Sequence, residues 1–131
     1  MHEWALAEAV IRAVQEKTEK DVWRRVKSIY VEVGELQQID LDTFTDALNT
    51  IGNSIGDIKF VVRVKRAKFK CRRCGYSWSM KEVDLDEEIQ EIVHFVPEAL
   101  YSFFKCPECG SRDYNLMEGR GVWVKKIVLK K

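Results

Sequence analysis

Four cysteines, arranged as two CxxC pairs, constrain this chain more than any other feature of its sequence. The pairs are Cys71–Cys74 and Cys106–Cys109, and they contain every cysteine of the 131 residues. Each pair has an aromatic residue two positions ahead and a glycine directly after it, which suits a turn with positive φ. Two such turns can supply four sulfur ligands to one tetrahedral ion. The sequence therefore predicts a structural zinc site at Cys71, Cys74, Cys106 and Cys109.

Disulfides and iron are the alternatives for these four cysteines. Disulfides fit poorly, because nothing else in the sequence suggests an oxidising compartment. Four thiolates accept iron as well as zinc, and the two pairs also resemble the iron-binding knuckles of rubredoxins. Rubredoxins are usually much shorter and do not need a further α+β domain, and a colourless pure protein would exclude this electron-transfer role.

The composition is that of a folded protein with no strong overall charge. Apolar residues make up 46% of the chain, and the formal net charge is +1, so there is no overall attraction to nucleic acid or to an anionic membrane. No apolar run approaches the roughly 18 residues of a spanning helix, and the N-terminus lacks a signal-peptide apolar core. We therefore expect a cytoplasmic protein without a membrane partner.

Hydrophobic periodicity predicts alternating helices and strands around the cysteine pairs. In chain order, the predicted elements are a helix over 4–19, a strand over 22–33, a helix over 41–52, a strand over 58–70, an acidic helical segment around 84–93 and a strand over 122–129. The predicted buried stripe of the first helix is Leu6, Val10, Ala13 and Val14. On the strand over 58–70, the predicted inward residues are Ile58, Phe60, Val62 and Val64.

These elements predict an α+β fold in which two helices lie on a three-stranded mixed sheet, interrupted by a zinc-ribbon-like module. Residues 1–70 and 116–131 form the predicted α+β domain, and residues 71–115 form the zinc-binding module. The 31 residues between the two cysteine pairs exceed the about 15 to 20 that are usual in a compact zinc ribbon.

The chain start, Met1-His2-Glu3, offers a second metal site of different chemistry. An α-amine, the deprotonated amide nitrogen of His2 and its imidazole can form fused chelate rings around one ion. A deprotonated amide requires a square-planar metal, which means Ni(II) or Cu(II). Glu3 adds a further amide or a carboxylate. From spacing alone, a histidine at position 2 that is merely exposed is the simpler interpretation.

Three features stand in order along essentially the whole chain. They are the opening Met1-His2-Glu3 before an amphipathic helix, the motif Val33-Gly34-Glu35-Leu36 at a strand end, and the two CxxC pairs in the C-terminal half. Together and in this order they resemble the HypA family of nickel metallochaperones. The resemblance implies an accessory factor, and not an enzyme, that serves the maturation of NiFe hydrogenases and in some organisms of urease. The long segment between the cysteine pairs is similar to the insert of archaeal members.

The resemblance also implies the ligands and the partners. His2, with the N-terminal backbone of Met1 and with Glu3, would carry Ni(II) as cargo, and the four cysteines would hold structural Zn(II). The expected partners are a HypB-type nucleotide-hydrolysing protein and, directly or indirectly, the large subunit of a hydrogenase. His94, in the insert, is a candidate further nickel ligand; a histidine that packs at a helix end beside Phe95 is the simpler interpretation.

A basic run around the first cysteine pair leaves a different function open. Its members are Lys59, Arg63, Lys65, Arg66, Lys68, Lys70, Arg72 and Arg73. A zinc ribbon beside basic and aromatic residues is also typical of some nucleic-acid or protein-binding adaptors. Because alternation places many of these charges on the outer face of a strand, a solvated face with local ion pairs is expected here and nucleic-acid binding is not.

Overall fold

The computed structural model describes residues 2–37, 39–83 and 86–131, without the side chains of His2, His94 and Pro97. The helices are α1 (His2–Lys17), α2 (Lys20–Arg24), α3 (Leu41–Asn53), α4 (Glu87–Phe95) and α5 (Leu100–Phe103). The strands are β1 (Val26–Gly34), β2 (Lys59–Lys65), β3 (Lys68–Cys71), β4 (Ser77–Ser79), β5 (Tyr114–Glu118) and β6 (Val122–Leu129). Short 3-10 turns cover Glu35–Gln37, Met80–Glu82 and Pro97–Ala99.

The chain divides into two compact units. The first comprises Met1–Glu32, Ile39–Arg63 and Val122–Lys131, and the second comprises Val33–Gln38 and Val64–Gly121. Within the described residues, the strands form two sheets of three strands each, in the orders β2-β1-β6 and β4-β3-β5. The predicted α+β fold class is confirmed, while the predicted division at residues 70 and 116 into folding domains stays a prediction.

In the first unit, α1 packs against α3 and β6, and β1 is the central strand of its sheet. Asp40 caps α3, because its side chain accepts hydrogen bonds from the backbone N–H groups of Asp42 and Thr43. The predicted helix over 41–52 is confirmed, and Phe44 and Leu48 are fully buried on its inner face.

The buried stripe of α1 differs from the predicted one. Ala13 is exposed, whereas Ala7 and Ile11 are buried together with Val10 and Val14. The buried set thus follows the spacing 7, 10, 11 and 14, so the contact face is rotated toward Ile11. The larger side chain of Ile11 gains more from burial than the methyl group of Ala13.

The predicted strands over 22–33 and 58–70 each extend beyond the strand that the structure forms there, β1 and β2 respectively. Residues 20–24 form α2 and not the start of a strand, because the N–H of Trp23 donates to the carbonyl of Glu19 at 2.9 Å in a helical turn. The predicted strand over 58–70 is two strands, β2 and β3, that belong to different sheets. Val64, near the end of β2, is 46% exposed, so the predicted inward alternation fails there.

The second unit is built on the sheet β4-β3-β5, which the sequence prediction missed. β3 pairs antiparallel with both neighbours: Phe69 lies opposite Trp78 on one side and Leu116 on the other, and Cys71 lies opposite Tyr114. Its core consists of Leu36, Ala67, Phe69, Cys71, Trp78, Val93, Leu100, Cys106 and Tyr114. Val93 and Leu100 bring the long segment between the cysteine pairs into this core.

Candidate metal centre

The four cysteines converge at one end of the second unit. Cys71 ends β3, and Cys106 lies in the second turn. Gly75 and Gly110, directly after each pair, have φ of 80° and 76°, so the predicted glycine turns are confirmed. In each turn the glycine N–H donates to the carbonyl of the first cysteine, at 3.1 Å for Gly75 and 2.9 Å for Gly110.

The sulfur positions fit a single tetrahedral ion. All four Sγ atoms lie within 4.8 Å of one another, and the Cys71–Cys109 and Cys74–Cys106 Sγ distances are both 3.6 Å. A tetrahedral ion with metal–sulfur bonds of about 2.3 Å separates its ligands by about 3.8 Å. No disulfide joins these cysteines, so the set is arranged to hold a metal.

Hydrogen bonds to sulfur set the protonation of the thiols unequally. The backbone N–H groups of Cys74 and Arg73 donate to Cys71 Sγ at 3.4 and 3.3 Å. The Cys74 N–H, with help from Arg73, lowers the pKa of Cys71 to about 6 against the opposing effect of burial. A backbone hydrogen bond from Tyr76 acts to lower the pKa of Cys74, but burial and the neighbouring sulfurs raise it to about 12. A bound dication would relieve this crowding of negative charge.

An aromatic cluster supports the two turns. The Phe69 ring stacks on Trp78 with centroids 5.5 Å apart, and Tyr114 meets Trp78 edge-on at 5.1 Å. The Tyr114 hydroxyl lies 3.1 Å from the carbonyl oxygen of Phe104 and 3.3 Å from that of Leu100. Because Tyr114 also pairs with Cys71 across the sheet, it connects the inserted helices to the first cysteine turn.

The motif around Glu35 belongs to this unit, which sequence reasoning missed. The Leu36 side chain has 0% exposure within the core, and its N–H donates to the carbonyl of Gly119 at 3.0 Å. Glu35 Oε1 accepts from the N–H of Ala67 at 2.7 Å, and Gln37 Oε1 accepts from the N–H of Gly121 at 3.1 Å. An apolar leucine two residues after the strand-ending glycine was the available signal for a buried turn.

Gly34 and Gly119 allow two backbone segments of this unit to meet. A Cβ on Gly34 would lie 2.3 Å from the backbone carbon and oxygen of Gly119. Gly119 itself has φ of +99°, and a Cβ there would lie 2.4 Å from the Cα of Ala67. Neither position therefore accepts a side chain without movement of the backbone.

The residues predicted to bind nickel are not tested by the geometry. α1 begins at His2, with Glu3 in its first turn, and His94 lies within α4. Met1 and the side chains of His2 and His94 lie outside the described part of the structure. Their role as ligands stays a prediction.

Comparison with known proteins assigns the family. The model of the HypA family, described as "Hydrogenase/urease nickel incorporation, metallochaperone, hypA", matches residues 1–129. The chain belongs to the HypA family. The predicted resemblance is thereby confirmed.

Curated HypA relatives match over the full length of the chain. "Hydrogenase maturation factor HypA" of Pyrococcus furiosus is 41% identical over 100% of this chain and 97% of its own. The protein of the same name from Thermococcus kodakarensis is 42% identical with the same coverage. The high identity of these archaeal relatives agrees with the predicted archaeal-like insert.

Two solved HypA structures share the fold. The "Solution structure of the Ni metallochaperone HypA from Helicobacter pylori" has a TM-score of 0.60 at 14% identity, covering 98% of this chain and 97% of that one. A second, the "Solution structure of HypA protein", has a TM-score of 0.61 at 16% identity, covering 98% and 96%. At such identity the likeness shows the fold alone.

Within the described residues, no helix is both long enough and apolar enough to cross a lipid bilayer.

Proposed function

We propose that this HypA-family chain is a nickel metallochaperone that binds Ni(II) at its N-terminus and delivers it for the maturation of NiFe hydrogenase. The observation that carries the proposal is the family match over residues 1–129, which includes both the Met1-His2-Glu3 start and the four-sulfur centre. The proposed role is that of a carrier and not of an enzyme, because four cysteine ligands would leave a zinc ion no open position for a substrate.

The two metals are separated by ligand chemistry. The cysteine set, with its Sγ atoms within 4.8 Å, suits a permanently bound Zn(II), which would fix the shape of the second unit. The proposed nickel ligands are the amine of Met1, the amide and imidazole of His2, and Glu3. Few protein ligands and access to solvent would permit ligand exchange, so nickel can be taken up and released.

His94 is proposed as a further, exchangeable nickel ligand. A square-planar ion held by the chain start can still lack one donor, and a neutral imidazole suits nickel. If His94 supplies that donor, the placement of α4 controls nickel affinity, and a partner that changes this placement would trigger release. The nickel-binding domain in this proposal is 1–70 with 116–131, and the zinc-binding module is 71–115.

The proposed partners are a HypB-type nucleotide-hydrolysing protein and the hydrogenase large subunit, reached directly or indirectly. The proposed location is the cytoplasm. Support for these assignments comes from the family description, hydrogenase or urease nickel incorporation. No nucleic-acid partner is proposed, because the net charge of +1 provides no general attraction to phosphate.

An N-terminal extension tests the amine-based site. Untagged protein and a version that carries a Gly-Ser dipeptide before Met1 would be titrated with Ni(II) by calorimetry at one pH. Because the extension converts the α-amine into an amide, we expect a sharp loss of nickel affinity at unchanged zinc content. Equal nickel affinity of the two proteins would contradict the proposed coordination.

A further inference from the structure

One face of the sheet β4-β3-β5 is uncovered and basic. Strand β3 alternates, so that Phe69 and Cys71 are buried while Lys68 and Lys70 are exposed on the opposite face. The register gives that face two rows of side chains. Lys68 lies between Ser79 and Glu118, and Lys70 lies between Ser77 and Asn115.

The charges on this face do not cancel. Glu118 forms an ion pair with Lys65 at 3.7 Å, and Arg72 is held by Asn115 at 2.7 Å and by Asp113 at 3.7 Å. Among the residues that the structure describes, neither Lys68 nor Lys70 takes part in an ion pair. The two central cations are therefore available to a partner of opposite charge.

An open depression with a volume of about 300 Å³ lies beside Lys68. Arg66, Lys68, Ser77 and Ser79 are among the residues that line it. Ala67, Trp78 and Glu118 complete the lining, and the carboxylate of Glu118 is paired with Lys65 at 3.7 Å. The depression therefore still offers cations and hydroxyl groups, which are hydrogen-bond donors to carboxylates.

Strand β4 forms one edge of the sheet, because the order is β4-β3-β5. An added strand beside an edge satisfies backbone hydrogen bonds and places alternate side chains on one face. Ser77 and Ser79 are short, so the long side chains of Lys68 and Lys70 can reach over β4 toward an added strand about 4.8 Å beyond it.

Single-stranded nucleic acid fits this face less well than an acidic peptide. Recognition of unpaired bases uses aromatic side chains on the open face of a sheet. Here Phe69, Trp78 and Tyr114 are at most 4% exposed, so these rings offer little stacking surface to a base, although Trp78 takes part in the lining of the depression.

We propose that the open face of the sheet β4-β3-β5 is a docking surface for an extended acidic segment of a partner protein, which adds beside β4 with its carboxylates on Lys68 and Lys70. The inference goes beyond the nickel-carrier proposal and does not require that nickel is bound. Under this proposal, Lys68 and Lys70 of the basic run around the first cysteine pair serve to recognise a protein.

Binding of a designed peptide tests the docking surface. The zinc-loaded full-length chain would be titrated against a fluorescein-labelled peptide of alternating Glu and Thr, with a peptide of alternating Gln and Thr and a single-stranded RNA oligonucleotide as comparisons. We expect anisotropy to report binding of the Glu peptide only, and its affinity to fall with added salt. The double variant Lys68→Glu with Lys70→Glu should weaken it about 10-fold or more.

The matched control is Lys125→Glu with Lys130→Glu, which reverses two exposed charges on the first unit and should leave the affinity unchanged. Peptide-induced ¹⁵N amide shifts of the unmodified protein give a second reading that does not depend on the folding of any variant; we expect them at β3 and β4. The proposal is overturned by equal loss in both double variants, by shifts elsewhere, by absence of Glu-peptide binding, or by preferential binding of the RNA.

Discussion

Leu36 is fully buried in the core of the cysteine-containing unit, although it follows a strand that belongs largely to the other unit. We expect Leu36→Ala to lower the free energy of unfolding of the zinc-loaded protein by about 2–5 kcal/mol, because it removes buried methyl groups and leaves a cavity. Urea unfolding followed by tryptophan fluorescence measures this loss. Leu129→Ala is the matched control, since Leu129 is 37% exposed; losses of equal size would show that Leu36 is not a core residue.

A second prediction for a single residue concerns Gly34, which lies against the backbone of Gly119. Gly34→Ala places a Cβ 2.3 Å from the backbone of Gly119, and backbone atoms cannot turn aside as a flexible side chain can. We expect a loss of about 1–3 kcal/mol or more in unfolding free energy. Gly56→Ala is the comparison, because its Cβ would meet only Ile58 at 3.9 Å, an ordinary contact. If both variants were equally stable, the close approach of residues 34 and 119 would be wrong.

The protonation of the cysteines predicts how metal retention depends on pH. With a pKa of about 6, Cys71 is mostly a thiolate at neutral pH, whereas Cys74, with a pKa of about 12, is a thiol until a metal displaces its proton. Because metal binding must release this proton, acid competes with the metal. We expect zinc release to a colorimetric chelator to accelerate steadily from about pH 8 to about pH 5. A rate independent of pH over this range would contradict thiolate ligation.

At the level of elements, α3 depends on its N-cap. Asp40 Oδ1 accepts from the N–H groups of Asp42 and Thr43 at 3.1 and 3.2 Å. We expect Asp40→Ala to cost about 0.5–2 kcal/mol of unfolding free energy by leaving these donors without their acceptor. Asp46→Ala, at an exposed position inside the same helix, removes the same charge without touching a cap. Asp46→Ala should therefore lower stability by less than Asp40→Ala, as measured by thermal unfolding of the two variants. Equal losses would contradict the capping role of Asp40.

Elements with a regular pattern over their whole length could be predicted from the sequence. The helices α1 and α3 and the strand β6 agree with the predicted spans to within about two residues. β4 and β5 have only three and five residues, which is too short for alternation to stand out from chance. The break between β2 and β3 could not be foreseen, because the N–H of Ala67 turns to the carboxylate of Glu35, 32 positions earlier in sequence.

The candidate metal centre was predictable, whereas the rest of its unit was not. Cysteine spacing fixes a local turn and a ligand type, and the four Sγ atoms do converge. Leu36 and Glu35 join this unit through contacts with residues far along the chain. Contacts between residues so far apart in the chain leave no regular spacing in a single sequence, so they could not be predicted from it.

At the scale of the whole molecule, the proposed function requires one permanently bound metal and one metal that is carried and released. The four-sulfur centre belongs to the second compact unit, and α1, which begins at His2, belongs to the first. Removal of a nickel ligand at the chain start should therefore leave the zinc content of the four-sulfur centre unchanged. A carrier that releases nickel while it keeps its structural zinc requires this.

The most direct measurement is a nickel titration of untagged protein beside His2→Ala, with zinc content determined on both samples. His94→Ala, measured in parallel, shows whether the second histidine contributes to nickel affinity. We expect His2→Ala to lose nickel binding while it keeps about one zinc per chain, as a four-cysteine site requires. Equal nickel binding by His2→Ala and the unmodified protein would contradict the N-terminal nickel site.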